Sequence, residues 1–154
     1  MATWAELETA APDLAAEGHR LLHARGHGEV LLATIRGESL PRISAISVAI
    51  VDGRLYAFII IKSAKLLDLE RDGRYAMHTH VDEAAPSEFA IRGRAVVIAD
   101  PARRAAVAAD WSFEVDDDYR LFEFSIVAAL LGVRDTADEW PPRYLSWRSA
   151  DAPG

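Results

Sequence analysis

The sequence predicts a mainly β fold, a small antiparallel barrel of about six strands with short helices. Three observations support this. β-rich segments follow one another at hairpin spacing, Asp52-Gly53 is a strong two-residue hairpin signal, and the helical patterns are short and local. Strands joined directly by turns favour an antiparallel sheet over βαβ units, and closing that sheet into a barrel removes its exposed edges.

Each element has its own local signal. Thr3 and Glu6 form a capping-box pattern at the start of a helical region, and Pro12 predicts a kink in it. Ser63 is placed to begin a short helix, and Gly93 predicts a bend or bulge in a long strand. We expect strands at 30–35, 42–51, 54–61, 74–81, 88–99, 120–133 and 144–147, and later helices at 63–71 and 100–111.

The length of 154 residues corresponds to about one domain, long enough to bury a full core without disulfides. We therefore expect residues 1–154 to form a single domain. Within it we assign an N-terminal helical segment at 1–27, the barrel at 28–148 and a flexible tail at 149–154.

Composition excludes several classes of function. The net charge of −7 argues against a general nucleic-acid binder, and the absence of cysteine excludes thiolate metal sites and cysteine nucleophiles. The N-terminus lacks the pattern of a signal peptide, and the longest apolar run, 56–61, is far too short to span a membrane. The sequence therefore predicts a cytoplasmic protein without nucleic-acid or membrane partners.

The sharpest chemical feature is the stretch Lys62-Ser63-Ala64-Lys65. It holds both lysines of a chain that has 15 arginines, and it joins an apolar strand to a predicted helix N-terminus. Free N–H groups at a helix N-terminus attract anions, and the lysines and the serine hydroxyl add charge and a further donor. This pattern fits a phosphate site. On spacing alone, a capped surface helix with two solvated lysines is the commoner explanation.

Two further pairs of side chains are candidates for a site. Arg42 and Ser44 share one face of the strand that leads to the Asp52-Gly53 hairpin, where an arginine can bind a phosphate with two donors. The alternative is an ordinary solvent-facing strand. His78 and His80 share a face of a later strand, but no further ligand is placed near them, so we expect no metal site there.

Taken in order, several short motifs resemble one known family. They are Leu32-Ala33-Thr34-Ile35, Leu40-Pro41-Arg42-Ile43-Ser44, Asp52-Gly53-Arg54-Leu55-Tyr56, Lys62-Ser63-Ala64-Lys65, Asp72-Gly73-Arg74-Tyr75-Ala76, Phe89-Ala90-Ile91-Arg92-Gly93-Arg94-Ala95 and Asp100-Pro101. Over residues 28–148 their order and spacing resemble the FMN-binding split-barrel family of pyridoxamine 5′-phosphate oxidase-like proteins. The resemblance implies a six-stranded antiparallel Greek-key split barrel.

The resemblance also implies a homodimer with two cofactor sites at the subunit interface. Ser63 and Lys65 match the turn that holds the FMN phosphate, with Lys62 beside it. Ser44 stands where the oxidases place a phosphate-binding arginine, and Arg42, two residues earlier, is its possible substitute. The remaining matches concern the flavin ring. The backbone of Ile59 and Ile60 matches positions that face the edge of the ring, and Glu88 stands where the oxidases have a glutamine near it. Trp147 matches an aromatic residue that reaches the partner's cofactor.

Three departures from the family narrow the function. Ala64 replaces the usual arginine of the turn, the Arg-x-x-x-Leu-Lys strand motif is absent, and the C-terminal arginine motif for pyridoxamine phosphate is not recognisable. The resemblance therefore implies an FMN-binding oxidoreductase that transfers hydride to or from another small organic substrate. The alternatives are a reductase that uses a deazaflavin (coenzyme F-420) and a non-catalytic flavin- or haem-binding protein, which His78 and His80 keep open.

Overall fold

The computed structural model describes residues 1–152, so the last two residues of the predicted flexible tail lie outside the described part. Residues 1–152 form four helices and seven strands. They are α1 (Trp4–Ala10), α2 (Pro12–Leu22), β1 (Gly28–Thr34), β2 (Arg42–Val51), β3 (Arg54–Ile60), α3 (Ala64–Arg71), β4 (Arg74–His78), β5 (Glu88–Val97), α4 (Pro101–Ala109), β6 (Tyr119–Val133) and β7 (Arg143–Arg148).

The strands confirm the predicted mainly β fold with a six-stranded antiparallel barrel. Neighbouring strands follow the order β3-β2-β1-β4-β5-β6, and β6 then pairs with β3 to close the ring. The seventh strand, β7, pairs with the far end of β6 outside this ring. Side chains alternate along the strands, so that Val30, Leu32 and Thr34 of β1 face the core while Leu31 and Ala33 face outward.

The hairpin between β2 and β3 is tight and short. Asp52 and Gly53 have φ values of 50° and 69°, the positive angles that a two-residue turn of this kind requires. Only three residue pairs follow before the strands part, from Val51↔Arg54 to Ala49↔Tyr56. On its other edge β3 pairs with β6 from Leu55 to Ile60, and β2 pairs with β1 over residues 42–48. The barrel is therefore open between residues 42–48 and 57–60, a region we call the split.

Gly93 lies at the irregularity that the sequence predicted in β5. The β5–β6 register shifts between Arg92 and Gly93. A Cβ atom at Gly93 would stand 1.8 Å from the carbonyl oxygen of Ser125. Only glycine allows this approach of two backbones, which bends the long strands enough to close the barrel.

Helices α1 and α2 cover one part of the barrel. The predicted capping box is present: the Thr3 side chain accepts from the Glu6 N–H while the Glu6 carboxylate accepts from the Thr3 N–H. Trp4 and Leu7 are fully buried, and the Trp4 ring meets the Phe89 ring edge to face at 6.0 Å. The chain ends its described part beside β6, where the N–H of buried Ser149 donates to Val127. Within residues 1–152 no helix is long and apolar enough to cross a membrane.

One buried carboxylate holds α3 against the sheet. Asp68 is 6% exposed, and its Oδ2 accepts from Thr34 Oγ1 of β1 at 2.8 Å and from Arg42 Nε of β2 at 2.9 Å. A buried charge is tolerated when it is paired and hydrogen-bonded. These two bonds, together with buried Leu66 and Leu69, fix the position of α3 relative to β1 and β2.

We predict that Asp68→Asn lowers the free energy of unfolding by about 1–3 kcal/mol, because it removes the charge that partners the half-buried Arg42. Glu70→Gln is the matched control on the same helix, since Glu70 pairs with Arg120 at the surface and such pairs contribute about 0–1 kcal/mol. Urea denaturation of both variants measures the difference. Equal losses in the two variants would contradict the anchoring role of Asp68.

Candidate functional site

The predicted phosphate turn lies where β3 leaves the barrel and α3 begins. Ser63 is the N-cap residue of α3, as predicted, but no side chain caps the helix. Its Oγ instead donates to the Ile60 carbonyl at 2.8 Å. Helices α1 and α4, by contrast, are capped by the side chains of Thr3 and Asp100. The N-terminal N–H groups of α3 therefore face outward without a side-chain acceptor.

Both lysines of the chain flank this uncapped end. Lys62 is exposed and Lys65 is half-buried. Among residues 1–152 neither has a carboxylate oxygen within 4.0 Å, although most arginines of this acidic chain do. The first turn of α3 contains no acidic residue either. The turn thus concentrates two cations at the positive end of a helix dipole.

Arg42 and Ser44 lie on the inward side of β2, as their register partners Thr34 and Leu32 do. The Arg42 guanidinium is bound to Asp68, which lies three residues, about one helical turn, after Lys65. Its positive charge is therefore close to the turn but already offset by a carboxylate. The outward positions of this part of β2 belong to Ile43, Ala45 and Ser47.

Ile59 and Ile60 border the split. Their strand partners are Arg120 and Tyr119 of β6, so one edge of their backbone is paired. No described strand pairs with the opposite edge, which faces the split. The Ile59 side chain is buried in the core at 1% exposure, whereas Ile60 is 39% exposed. This free backbone edge leads directly into the Lys62–Lys65 turn.

Glu88 and Trp147 lie far from that turn within one chain. Ile60 pairs with Tyr119 at the start of β6, whereas Trp147 pairs with Ala129 and Glu88 with Gly132 near its end. Ten residues of extended strand separate Tyr119 from Ala129, a path of roughly 33 Å. The predicted site residues therefore form two groups, and one chain does not bring them together.

His78 stands on the outward face of β4 with one ring nitrogen engaged. Its Nδ1 is 2.6 Å from the Thr79 carbonyl, and because a carbonyl only accepts, Nδ1 carries the proton. Its Nε2 is 3.8 Å from Glu88 Oε2, beyond hydrogen-bond distance. His80 Nε2 is buried without a hydrogen-bond partner and lies 3.5 Å from Glu29 Oε1. Among the described residues no three His, Asp or Glu side chains form a metal-binding group.

The outward face of β2, β1 and β4 carries small and aliphatic side chains, which the sequence analysis did not single out. Register aligns two rows across the strands, one through Ala45, Leu31 and His78 and one through Ile43, Ala33 and Ala76. Ile43 is 70% exposed and Leu31 36% exposed. We call these six residues the outer face. Exposed aliphatic side chains on neighbouring strands are typical of a surface that another molecule covers.

The structure also reveals one functional residue that sequence reasoning missed. Asp68 decides where Arg42 points, but in the sequence it is one of several acidic residues in a leucine-rich helix. The one indication in the sequence that Asp68 is special is its position between two apolar residues of that helix, Leu67 and Leu69. The pairing with Thr34 becomes visible only when β1 and α3 are placed side by side.

Comparisons with known proteins bear on the fold. No protein-family model matches the sequence, and no curated protein is significantly similar to it. Among solved structures, a heme binding protein from Mycobacterium smegmatis is similar with a TM-score of 0.64 at 16% identity, covering 86% of this chain. This chain spans only 57% of that protein's length.

Two other solved structures are similar over nearly their whole length. A Clostridium acetobutylicum protein related to general stress protein 26, of the pyridoxinephosphate oxidase family, has a TM-score of 0.60 at 15% identity, covering 85% of this chain and 95% of its own. A putative pyridoxamine 5′-phosphate oxidase from Listeria innocua has a TM-score of 0.57 at 18% identity, covering 74% and 95%. The chain therefore has the split-barrel fold of pyridoxamine 5′-phosphate oxidase-like proteins, as its sequence motifs predicted.

Proposed function

We propose that the chain binds FMN, or the related deazaflavin coenzyme F-420, with the phosphate at the Lys62–Lys65 turn, and acts as an oxidoreductase on a small organic substrate. The observation that carries this proposal is the uncapped N-terminus of α3 between two lysines that have no carboxylate partner among the described residues. Donors and positive charge converge there, and a phosphate supplies the missing acceptors.

The residues present fit a phosphate even though the family's arginine is replaced by Ala64. Lys62 and Lys65 supply charge, and the backbone N–H groups of the first turn of α3 supply directed donors. Arg42 Nε is bound to Asp68 and holds α3, and therefore Lys65, against β1 and β2. Its two Nη groups remain a predicted contact of the phosphate. Three other residues of the family's set remain predictions: Ser44 beside the phosphate, and Glu88 and Trp147 near the ring.

The split is suited to the polar edge of a flat ring. Beyond its three pairs with β2, the edge of β3 that borders the split has no strand partner among the described residues, and exposed Ile60 and Ile61 offer apolar contact beside it. A bound flavin or deazaflavin supplies the hydride chemistry, while the protein binds it, orients it and excludes water. Because the cofactor carries the hydride chemistry, the chain needs no catalytic triad.

Two observations support a homodimer: the exposed outer face and the separation of the two groups of predicted site residues. Glu88 and Trp147 are too distant from the turn of their own chain to contact a cofactor held there. A second copy packed on the outer face covers the exposed Ile43 and Leu31 and offers a route by which these residues reach the cofactor of the first. We propose this second copy as the partner of the outer face.

We expect Lys65→Ala to weaken FMN binding by about 1–3 kcal/mol, the scale of a charge-assisted hydrogen bond, or roughly 5- to 150-fold in Kd. Arg71→Ala, at the opposite end of α3, is the matched control and should leave Kd unchanged. Fluorescence titration with FMN and with the deazaflavin measures both variants and identifies the preferred cofactor. Riboflavin, which lacks the phosphate, should bind both variants alike.

Equal FMN affinity of Lys65→Ala and the unmodified protein would exclude the turn as the phosphate site. Turnover is tested separately by reducing the bound cofactor and supplying a tetrazolium acceptor under anaerobic conditions. Acceptor reduction supports the oxidoreductase assignment, whereas tight binding without any electron transfer would reject it and leave a cofactor-binding protein.

The dimer is tested at the outer face. We predict that Ile43→Asp converts a dimer to a monomer, because the substitution would bury two carboxylates across a two-fold interface. Leu40→Asp is the control, since Leu40 is 85% exposed in the turn before β2 and lies off the outer face. Sedimentation equilibrium gives the mass of each variant. A monomeric unmodified protein, or a dimeric Ile43→Asp variant, would contradict the proposed interface.

A second candidate function, haem binding, is favoured by the geometry of His78. A histidine that donates Nδ1–H to a carbonyl presents an unprotonated Nε2, the arrangement common in metal-ligating histidines. Leu31 and Ala90 flank His78 on the neighbouring strands and form a flat apolar surround. A bound haem would supply the iron for this nitrogen.

We predict that hemin titration of the unmodified protein shifts the Soret band, that His78→Ala abolishes this shift, and that His27→Ala, at an exposed histidine, preserves it. The reason is that only His78 combines an engaged Nδ1 with an apolar surround on the sheet. An unchanged Soret band in His78→Ala, or no hemin binding to the unmodified protein, would exclude this second function.

A further inference from the structure

Three of the chain's five histidines follow one another at a spacing of four residues: His19, His23 and His27. Only the first two share a helix, because His23 is the C-cap residue of α2 and the chain then turns at Gly26, whose φ is 102°. Residues four apart are neighbours on one face of a helix. The imidazole rings of His19 and His23 are accordingly stacked, with their centroids 4.3 Å apart and their planes at 26°.

The His23 ring is held so that one of its nitrogens is free to bind an ion. Its Nδ1 lies 2.8 Å from the backbone carbonyl of His19, and because a carbonyl only accepts, Nδ1 carries the proton. A neutral imidazole protonated there has its lone pair on Nε2, the arrangement common in metal-ligating histidines. Among residues 1–152 the histidines with a carboxylate oxygen within 4.0 Å are His78 and His80, so neither ring of the stacked pair is bound by a carboxylate.

The His19 ring is positioned from the neighbouring helix. Trp4 of α1 is fully buried, and its indole ring meets the His19 ring edge to face at 6.4 Å. Trp4 Nε1 donates to Glu8 Oε1 at 3.0 Å, and the Glu8 carboxylate is close enough for its charge to act on His19. The one arginine of α2, Arg20, is paired with Glu17. The local charge therefore favours a bound cation.

The separation of the two rings suits one metal ion shared between them. Bonds from zinc to imidazole nitrogen are about 2.0–2.1 Å long, so two nitrogens on one such ion lie at most about 4.2 Å apart. Rings whose centroids are 4.3 Å apart reach this range with small rotations of their side chains. Four residues is also the spacing by which two histidines on a helix share a zinc ion in metalloproteases.

The number of protein ligands decides which metals fit. The described residues offer no third His, Asp or Glu at this place, so water would complete the coordination. A structural zinc site, which needs four protein ligands, is therefore excluded. Cu²⁺ and Ni²⁺ accept nitrogen and oxygen ligands in a tetragonal arrangement, and among the divalent first-row metals Cu²⁺ binds a given site most tightly.

We infer that His19 and His23 form a two-ligand site for a divalent transition-metal ion, with Cu²⁺ preferred over Ni²⁺ and Zn²⁺. The ion joins the last turn of α2 to its C-cap residue, so its binding also fixes the end of that helix. The site shares no residue with the Lys62–Lys65 turn or with the outer face, and it does not depend on the proposed function. The alternative is a stacked pair on a solvated helix face that binds nothing.

The experiment titrates the unmodified protein with CuCl₂ at neutral pH, in a buffer that does not coordinate copper. Isothermal titration should show one tightly bound ion per chain. His19→Ala and His23→Ala should each weaken Cu²⁺ binding by at least the roughly 10- to 100-fold that the loss of a supporting contact costs a metal site. His27→Ala is the matched control, since it removes an exposed histidine of the same row, and it should leave the Cu²⁺ affinity unchanged.

Two further measurements report on the ligands and on the helix. The electron paramagnetic resonance spectrum of the Cu²⁺ complex should show two imidazole nitrogens in the unmodified protein and one in either single variant. Saturating Ni²⁺ should raise the urea midpoint of the unmodified protein, because an ion that binds the folded state stabilises it, and should leave that of either variant unchanged. His19 is exposed and His23 half-buried, so both variants should fold, which circular dichroism checks.

Three results would each reject the site. Equal Cu²⁺ affinity of the two histidine variants and the unmodified protein would leave a stacked pair without a ligand. An equal loss in His27→Ala would show dispersed binding to several histidines instead of a helical pair. A mass that doubles on addition of Cu²⁺, measured by sedimentation equilibrium, would show that the ion bridges two copies of the chain and not two residues of one helix.

Discussion

The structure depends on one pairing: β3 meets β6 from Leu55 to Ile60 and so closes the barrel, whereas it meets β2 only over the three pairs beside the Asp52-Gly53 turn. Leu55 and Tyr56 pair with both neighbours, one on each edge of β3. From Ala57 onward only the edge toward β6 has a partner among the described strands, and the other edge borders the split. The split leads into the Lys62–Lys65 turn and the N-terminus of α3.

Asp68 links three elements near that opening. It draws together Thr34 from one strand, Arg42 from the strand that borders the split, and α3 from the other side. The same contact gives Arg42 a structural task, because its Nε binds Asp68 while its two Nη groups have no hydrogen-bond partner among the described residues. The two lysines lie at the N-terminal end of the helix that this contact holds.

Much of the fold was accessible from the sequence because its signals are local. The capping box at Thr3, the hairpin at Asp52-Gly53 and the irregularity at Gly93 each depend on a few neighbouring residues, and each was predicted correctly. The Lys62–Lys65 turn was recognisable for the same reason. The partnership of Arg42 with Asp68 was not, because it arises from strand register and helix placement between distant segments. The seventh strand was indicated by its β-rich residues, but its position outside the closed ring depends on the length of β6.

The pairing of β3 with β6 that closes the barrel, which we call the seam, has a consequence for the rate of folding. Its paired residues, from Leu55↔Phe124 to Ile60↔Tyr119, lie 59 to 69 positions apart in the chain. The entropy of closing so long a loop is lost before the seam's hydrogen bonds form, so contacts of this kind slow folding. The β1–β2–β3 meander, made of near neighbours in sequence, can assemble without the seam. During synthesis the meander emerges before β6. Until β6 follows, the edge of β3 that will pair with it is unpaired and exposed to other chains.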